Sequence, residues 1–240
     1  MENLKNDDLI QSAQKNGRIS AVLYLILIPL GFFGVAYVPS LLEVPGEMAT
    51  TISNIVESEF LFRLGMVSVF LMNIVSILLV LYLYKLFKPI NKTTAIFMVA
   101  FLLIGACISM LNEVNNFAAL FLSGSNSGSV FNREQAQQLV GLFLDMQEFG
   151  SYIATIFWGL WLFPLGKLII KSNAIPKLLG ILLIIAGIGY LIDCFILFFL
   201  PELEFKITTF TFIGEVLFPL WLLIKGINIE KWKNYTLESV

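Results

Sequence analysis

The sequence predicts an all-α fold: an integral membrane bundle of six transmembrane helices, with the N- and C-termini cytoplasmic and a short extracytoplasmic helix after the first span. Three observations carry that prediction. Six long apolar stretches divide the 240 residues, each reaching the roughly 20 residues that a bilayer core requires. The segments between them alternate in charge. Lys5, Lys15 and Arg18, then Lys85, Lys88 and Lys92, then Lys167, Lys171 and Lys177, then Lys225, Lys231 and Lys233 fall on one side, and only Arg63, Arg133 and Lys206 on the other. Positive residues that flank spans stay in the cytoplasm, which orients the chain. Composition agrees, with 58% hydrophobic and 13% charged residues, against about a quarter charged in soluble domains.

Taken in order, residues 1–18 form a polar cytoplasmic arm, helical in part. The first span runs from Ile19 to about Leu42 and is interrupted by Pro29, with Gly31 and Gly34 close behind. Its apolar core is too long for a signal peptide and no small-residue cleavage site follows, so it reads as a retained helix. Residues 43–59 hold Pro45, Gly46 and four glutamates, and Thr51 to Ile55 suits a short helix along the outer surface. The second span covers about Phe60 to Phe87 and turns at Lys88 to Lys92. The third covers about Thr94 to Leu122, followed by a Gly/Ser loop from Ser123 to Ser129 that is flexible by composition. Asn132 suits a helix N-cap, with Glu134 in the first turn, and the fourth span leaves the membrane at Lys167. The fifth runs from about Lys177 to Leu200, ended by Pro201. The sixth runs from about Ile207 to Ile227 and is loosened near Pro219. The domain reading is therefore a cytoplasmic arm (1–18), a transmembrane domain (19–227) and a polar cytoplasmic tail (228–240).

Absences narrow the chemistry. The chain has no histidine, which excludes Ser-His hydrolases, His-ligated zinc or haem, and histidine proton relays. Cys107 and Cys194 sit inside apolar stretches and read as small residues at helix contacts. No cofactor and no metal site is expected, and no basic, aromatic-laced patch points to nucleic acid.

Ionisable groups at membrane depth are expensive and mark candidate sites. Arg63, Glu113, Asp145, Glu148, Asp193 and Glu215 all count into the outer half of the spans. On the fourth span Asp145, Glu148, Tyr152, Thr155, Gly159 and Gly166 form one stripe. On the third, Gly105, Ser109, Asn112, Glu113 and Asn116 share a side, and on the fifth, Ala186, Gly189 and Asp193 do so with Tyr190 adjacent. Arg63 is expected to pair, with Glu113 the first choice. Asp193 and Glu215, on consecutive spans joined by a short connection, count to equal depth and so fall within reach of a shared site. The candidate binding set is Arg63, Asn112, Glu113, Asn116, Asp145, Glu148, Tyr190, Asp193 and Glu215. Three readings remain open: a cation or basic ligand in an outward-open cavity, proton relay or acid–base chemistry, and structural pairing.

At Leu61 to Gly65, Lys85 to Lys92, Ile175 to Gly180, Gly189 to Asp193, Gly214-Glu215 and Trp221 to Gly226 the chain resembles the multi-pass membrane proteins of domain-of-unknown-function family 4386, from about Arg18 to Gly226. Matched positions are Arg63, Gly65, Pro89, Pro176, Gly180, Tyr190, Asp193, Glu215, Trp221 and Gly226. The resemblance implies an integral membrane protein of the bacterial plasma membrane with no established activity. Family members often carry histidines along the fourth span, where this chain has Gln147 and Trp158 to Trp161, so chemistry resting on those histidines does not transfer. The functional expectation is a membrane protein with an acid-rich polar pocket in its outer half that binds or transports a small molecule or cation. The alternative is a structural or regulatory interaction protein whose polar residues hold the helices together. A third reading is an intramembrane carboxylate enzyme acting on lipid. Membrane lipid is the one partner the composition requires.

Overall fold

The computed structural model describes residues 2–124, 131–200, 202–203 and 205–238. Residues 125–129 of the expected Gly/Ser loop and the expected stop at Pro201 lie outside them. Among the described residues the regular structure is all helical and contains no strand.

The polar N-terminus and the first apolar stretch form one helix, α1 (Glu2–Gly31), with Pro29 inside it. The chain then widens into a π-helical segment, Phe32–Tyr37, before α2 (Val38–Leu42). Pro39, at the start of α2, has no N–H to give to the Gly34 or Val35 carbonyl, so the helical ladder is already interrupted where the extra residue is accommodated. The outer helix predicted at Thr51 to Ile55 is α3 (Met48–Glu57). It is tied to the end of α2, where the Val44 N–H donates to the Thr51 hydroxyl at 2.9 Å and the Asn54 amide donates to the Leu42 carbonyl at 3.1 Å.

Two long helices follow, α4 (Glu59–Phe87) and α5 (Lys92–Ser123), joined by the expected lysine turn. There the Asn91 side chain accepts from the Thr94 N–H at 2.8 Å and caps α5. Asn132 performs as predicted and reciprocally. It accepts from the Gln135 N–H at 2.9 Å, while the Gln135 amide oxygen accepts from the Asn132 N–H at 3.1 Å. The fourth stretch is α6 (Arg133–Leu160) and α7 (Leu162–Ser172), with a break at Trp161. The fifth is α8 (Lys177–Phe199).

The sixth departs from expectation. It begins as a single turn, α9 (Thr208–Thr211), continues as α10 (Ile213–Ile224) with Pro219 inside, and stops three residues before Ile227. Five helical runs are long and apolar enough to cross a membrane: Ile10–Leu42, Glu59–Phe87, Lys92–Ser123, Glu134–Ser172 and Lys177–Phe199. Thr208–Ile224 is a shorter apolar helix. The polar residues after it form α11 (Ile229–Glu238). Trp232 is buried there, its indole N–H donating to the Leu86 carbonyl at 3.3 Å.

The long helices carry large apolar side chains outward, among them Leu111, Val114, Phe121 and Leu178, each more than 60% exposed, and Ile224 at the end of α10 does the same. In water such a surface would be an association site, whereas toward acyl chains it is ordinary.

By contacts the chain forms two compact units. One comprises Leu27–Ile74 and Ala106–Ala154. Its core joins Val38 and Leu42 of α2, Ile55 of α3, Phe62 and Met66 of α4, Ala119 of α5, and Val140 and Leu144 of α6. Gly34 of the π segment lies against Gly65 of α4, where a Cβ would sit 2.8 Å from the Gly65 carbonyl oxygen.

The other comprises Met1–Ile26, Val75–Gly105 and Thr155–Val240. Its largest buried side chains include Tyr24, Leu83, Phe87, Leu165, Ile169 and Phe218. Here the helical run ending in α7 and the following α8 pack antiparallel through two glycine pairs. A Cβ on Gly166 would lie 2.5 Å from the Gly180 carbonyl oxygen, and one on Gly180 would lie 2.7 Å from that of Gly166. Seven residues away on each helix, Gly159 and Gly187 meet in the same way, at 3.0 and 2.8 Å. The seven-residue spacing keeps both pairs on one seam, so the contact is backbone on backbone.

Candidate functional site

Six of the nine candidate residues belong to the unit that includes α3, and three to the unit that includes α8.

In the first set, Arg63 does not pair with Glu113. Its guanidinium meets Glu59, one turn earlier on α4, at 2.7 Å, with both side chains about half exposed at 51%. The i,i+4 spacing within a helix brings the two together without any tertiary constraint, and an exposed pair of this kind contributes little. Glu113 is buried and accepts from the Asn116 amide at 3.0 Å, with Gln147 also beside it. Asn112 bridges α5 to α6, donating to the Gln147 carbonyl at 2.7 Å and to the Ser151 hydroxyl at 3.2 Å. Asn73 adds a link between α4 and α5, donating to Ser109 at 3.0 Å. Asp145 and Glu148 are exposed. Glu148 lies near Glu43, which follows α2 and keeps an exposed flank. Withdrawal of the Glu43 carboxyl from water, and secondarily the charge of Glu148, push it up to about 7.

The second set shows the most developed polar geometry. Glu215, buried on α10, uses both carboxylate oxygens. One accepts from the Tyr24 hydroxyl of α1 at 2.8 Å, the other from the Tyr190 hydroxyl of α8 at 2.7 Å. One carboxylate therefore fastens three helices. Tyr24 is held by tilted or edge-on contacts with Trp161 and Phe218, centroids 5.8 and 6.0 Å away, which is a favourable arrangement for aromatic quadrupoles.

Asp193 does something different. Its oxygens accept from the Ile207 N–H at 2.7 Å, the Thr208 N–H at 3.1 Å and the Thr208 hydroxyl. It thus supplies from α8 the cap that the side chain of Ile207, at the N-terminus of α9, cannot provide.

That cap also corrects the depth assigned to Glu215. Counting from Leu200 and Ile207 places Asp193 and Glu215 level. Because Asp193 binds the backbone at Ile207 and Thr208, the final helix starts beside Asp193, and Glu215 lies seven residues, roughly 10 Å, further along. Tyr190 reaches Glu215 because helix side chains lean toward their own N-terminus, which on antiparallel α8 is the direction of Glu215. Among the described residues Asp193 and Glu215 take different hydrogen-bond partners and lie at different levels, while Tyr190 stands close enough to feel the charge of both.

Tyr24 is the principal residue that sequence reasoning passed over. It lies six residues beyond Arg18, and Glu215 ten before Lys225, so both count to similar depth from the basic ends. A phenol inside an apolar span needs an acceptor, which was the available signal. Among the described residues no group of histidine, cysteine and carboxylate side chains is arranged to hold a metal.

A family model described as a domain of unknown function (DUF4386) matches residues 19–226. An uncharacterized protein of Archaeoglobus fulgidus is 32% identical over 174 residues, covering 70% of this chain and 86% of the relative. No solved structure matches. With its apolar helices and a match over nearly its whole length, the chain belongs to the DUF4386 family.

Proposed function

We propose that this is a six-span protein of a prokaryotic plasma membrane, bacterial by the family resemblance, with both termini cytoplasmic. Its buried polar groups fasten helix to helix, which makes it a structural or regulatory membrane interaction protein. The observation that carries this reading is Glu215, whose two oxygens are both occupied by tyrosine hydroxyls from different helices. Asp193, spent on capping backbone, supports it. A transport pathway or an acid–base pair needs a carboxylate left available to a ligand.

Thr208–Ile224 serves as the sixth span. Its 17 residues extend roughly 25 Å, and a mismatch of that size against a 30 Å core is accommodated by local thinning. The lysine distribution sets the orientation.

Thiol labelling of intact cells tests both statements. In a Cys107→Ser background, a cysteine placed by Glu202→Cys is expected to react with an impermeant reagent from outside, and one placed by Lys88→Cys, exposed at a basic turn, is not. Labelling of the Lys88→Cys variant in unbroken cells would reverse the orientation. The native Cys194, buried next to Asp193, is expected to stay unmodified by a small water-soluble methanethiosulfonate until the protein is unfolded in detergent. Modification of Cys194 at the rate of the unfolded control would mean that an aqueous cavity reaches Asp193. The outward-open binding or transport site would then be the correct reading.

A further inference from the structure

At the basic end of the helical pair formed by α8 and α10, the short turn before α8 and the turn after α10 border an open cleft of about 430 Å³. Lys177, Lys225, Lys231 and Trp221 line it, and no aspartate or glutamate does. The two turns are built to hold this shape. Asn173 adopts the left-handed conformation at φ 51° and Gly226 does so at φ 70°. The Asn228 N–H then donates to the Ala174 carbonyl at 2.8 Å, locking one turn to the other. The Asn228 side chain caps α11 by accepting from the Lys231 N–H at 3.0 Å.

The charge arrangement is the informative part. Lys225 directly follows α10, where the negative end of the helix dipole favours a cation. Lys177 is the first residue of α8 and Lys231 lies in the first turn of α11, where the positive end of the dipole disfavours one. Helix electrostatics therefore does not account for two of the three lysines. Three exposed lysines border one opening, together with the N-terminal ends of α8 and α11, and among the described residues none of these lysines forms a salt bridge. An anion satisfies all of them together.

We propose that this cleft binds the phosphate group of an anionic ligand at the membrane surface. Basic pockets between helix ends on the cytoplasmic side suit acidic phospholipid headgroups, and a soluble phosphate would satisfy the same groups. The exposed ring of Trp221 at the edge of the cleft offers a surface for the glycerol of a headgroup. The proposal rests on these helices ending at a membrane surface, and it is independent of the role assigned to Glu215.

The test uses the purified full-length protein in mild detergent. Native mass spectrometry measures retention of phosphatidylglycerol against phosphatidylcholine, and equilibrium dialysis measures inorganic phosphate. The paired variant Lys225→Gln/Lys231→Gln is compared with Lys88→Gln/Lys92→Gln, which removes equal charge outside the cleft. Both must keep the wild-type melting temperature, and the single variants Lys225→Gln and Lys231→Gln serve in place of the glutamine pair if that pair does not fold, with Lys225→Arg/Lys231→Arg as the charge-retaining comparison. One equivalent of phosphatidylglycerol is expected on the wild type, with retention lowered about tenfold or more by the cleft glutamine pair and unchanged by the control pair. The arginine pair is expected to retain binding. One equivalent of inorganic phosphate lost with the same lysines, without lipid preference, would identify a soluble phosphate as the ligand of the same site. Equal losses in the cleft and control pairs, no anion bound by the wild type, or loss of binding in a folded arginine pair would overturn the proposal.

Discussion

Alanine at Gly166 or at Gly180 is expected to destabilise the protein by about 2–3 kcal/mol, the upper part of the range for overpacking. The neighbour that a new methyl group meets is a carbonyl oxygen of the opposite helix, at 2.5 Å from one side and 2.7 Å from the other. A side chain can rotate away from a clash, whereas here the whole of α7 has to move off α8. Once the helices have separated to admit the first methyl, the second finds space, so the double variant is expected to lose clearly less than the two single losses added together. Unfolding of the purified protein in mixed dodecyl maltoside and sodium dodecyl sulfate measures all three. Strict additivity would mean that the two glycines do not share a contact. Leucine at either position is expected to prevent recovery of folded protein.

Replacing Glu215 by leucine is expected to cost about 2–4 kcal/mol, because two buried phenols lose their acceptor at once and an unsatisfied buried group costs about 1–3 kcal/mol. Leucine nearly matches glutamate in volume, so a cavity adds little. Glu215→Gln keeps one acceptor and turns the other position into a donor that a tyrosine oxygen can accept, so it is expected to lose less than half as much. The decisive comparison is the triple replacement Tyr24→Phe, Tyr190→Phe and Glu215→Leu. Removing all the polar partners together leaves nothing unsatisfied, and the triple variant is expected to regain most of the stability that Glu215→Leu loses. The same detergent titration provides the reading. A Glu215→Leu protein as stable as wild type would show that the carboxylate fastens nothing and would remove the support for the proposed function.

The long helices were legible from the sequence because a span is a local property. Lys85 and Lys92 bracket a turn, and the apolar runs on either side have the length a bilayer dictates. The cap at Asn132 was legible for the same reason, since donor and acceptor lie three residues apart. The start of the last helix was not. A side chain fourteen residues earlier, on another helix, selects it, and no count from Leu200 or Ile207 contains that information. Arg63 failed in the opposite direction. A distant buried partner was expected for it, while Glu59 stood one turn away on the same helix. Of the candidate set, Tyr190 and Glu215 come together as a unit, with Tyr24 as the partner that sequence reasoning had left among the apolar residues of the first span. Asn112 and Glu113 take up partners on their own side of α5 and on α6.

The π segment at Phe32–Tyr37 bears on how homologous chains should be aligned. A ring closed from residue i to i+5 holds one residue more than the α-helical ring, and one residue is worth about 100° of rotation. Val38 and Leu42 face the core only because that surplus has already been absorbed upstream of them. A homologue one residue shorter between Pro29 and Pro39 would bury the same two side chains with an uninterrupted α-helix. A single-residue gap at this place is therefore a change of backbone state, and the gap belongs inside the widened turn rather than wherever residue identity happens to score best.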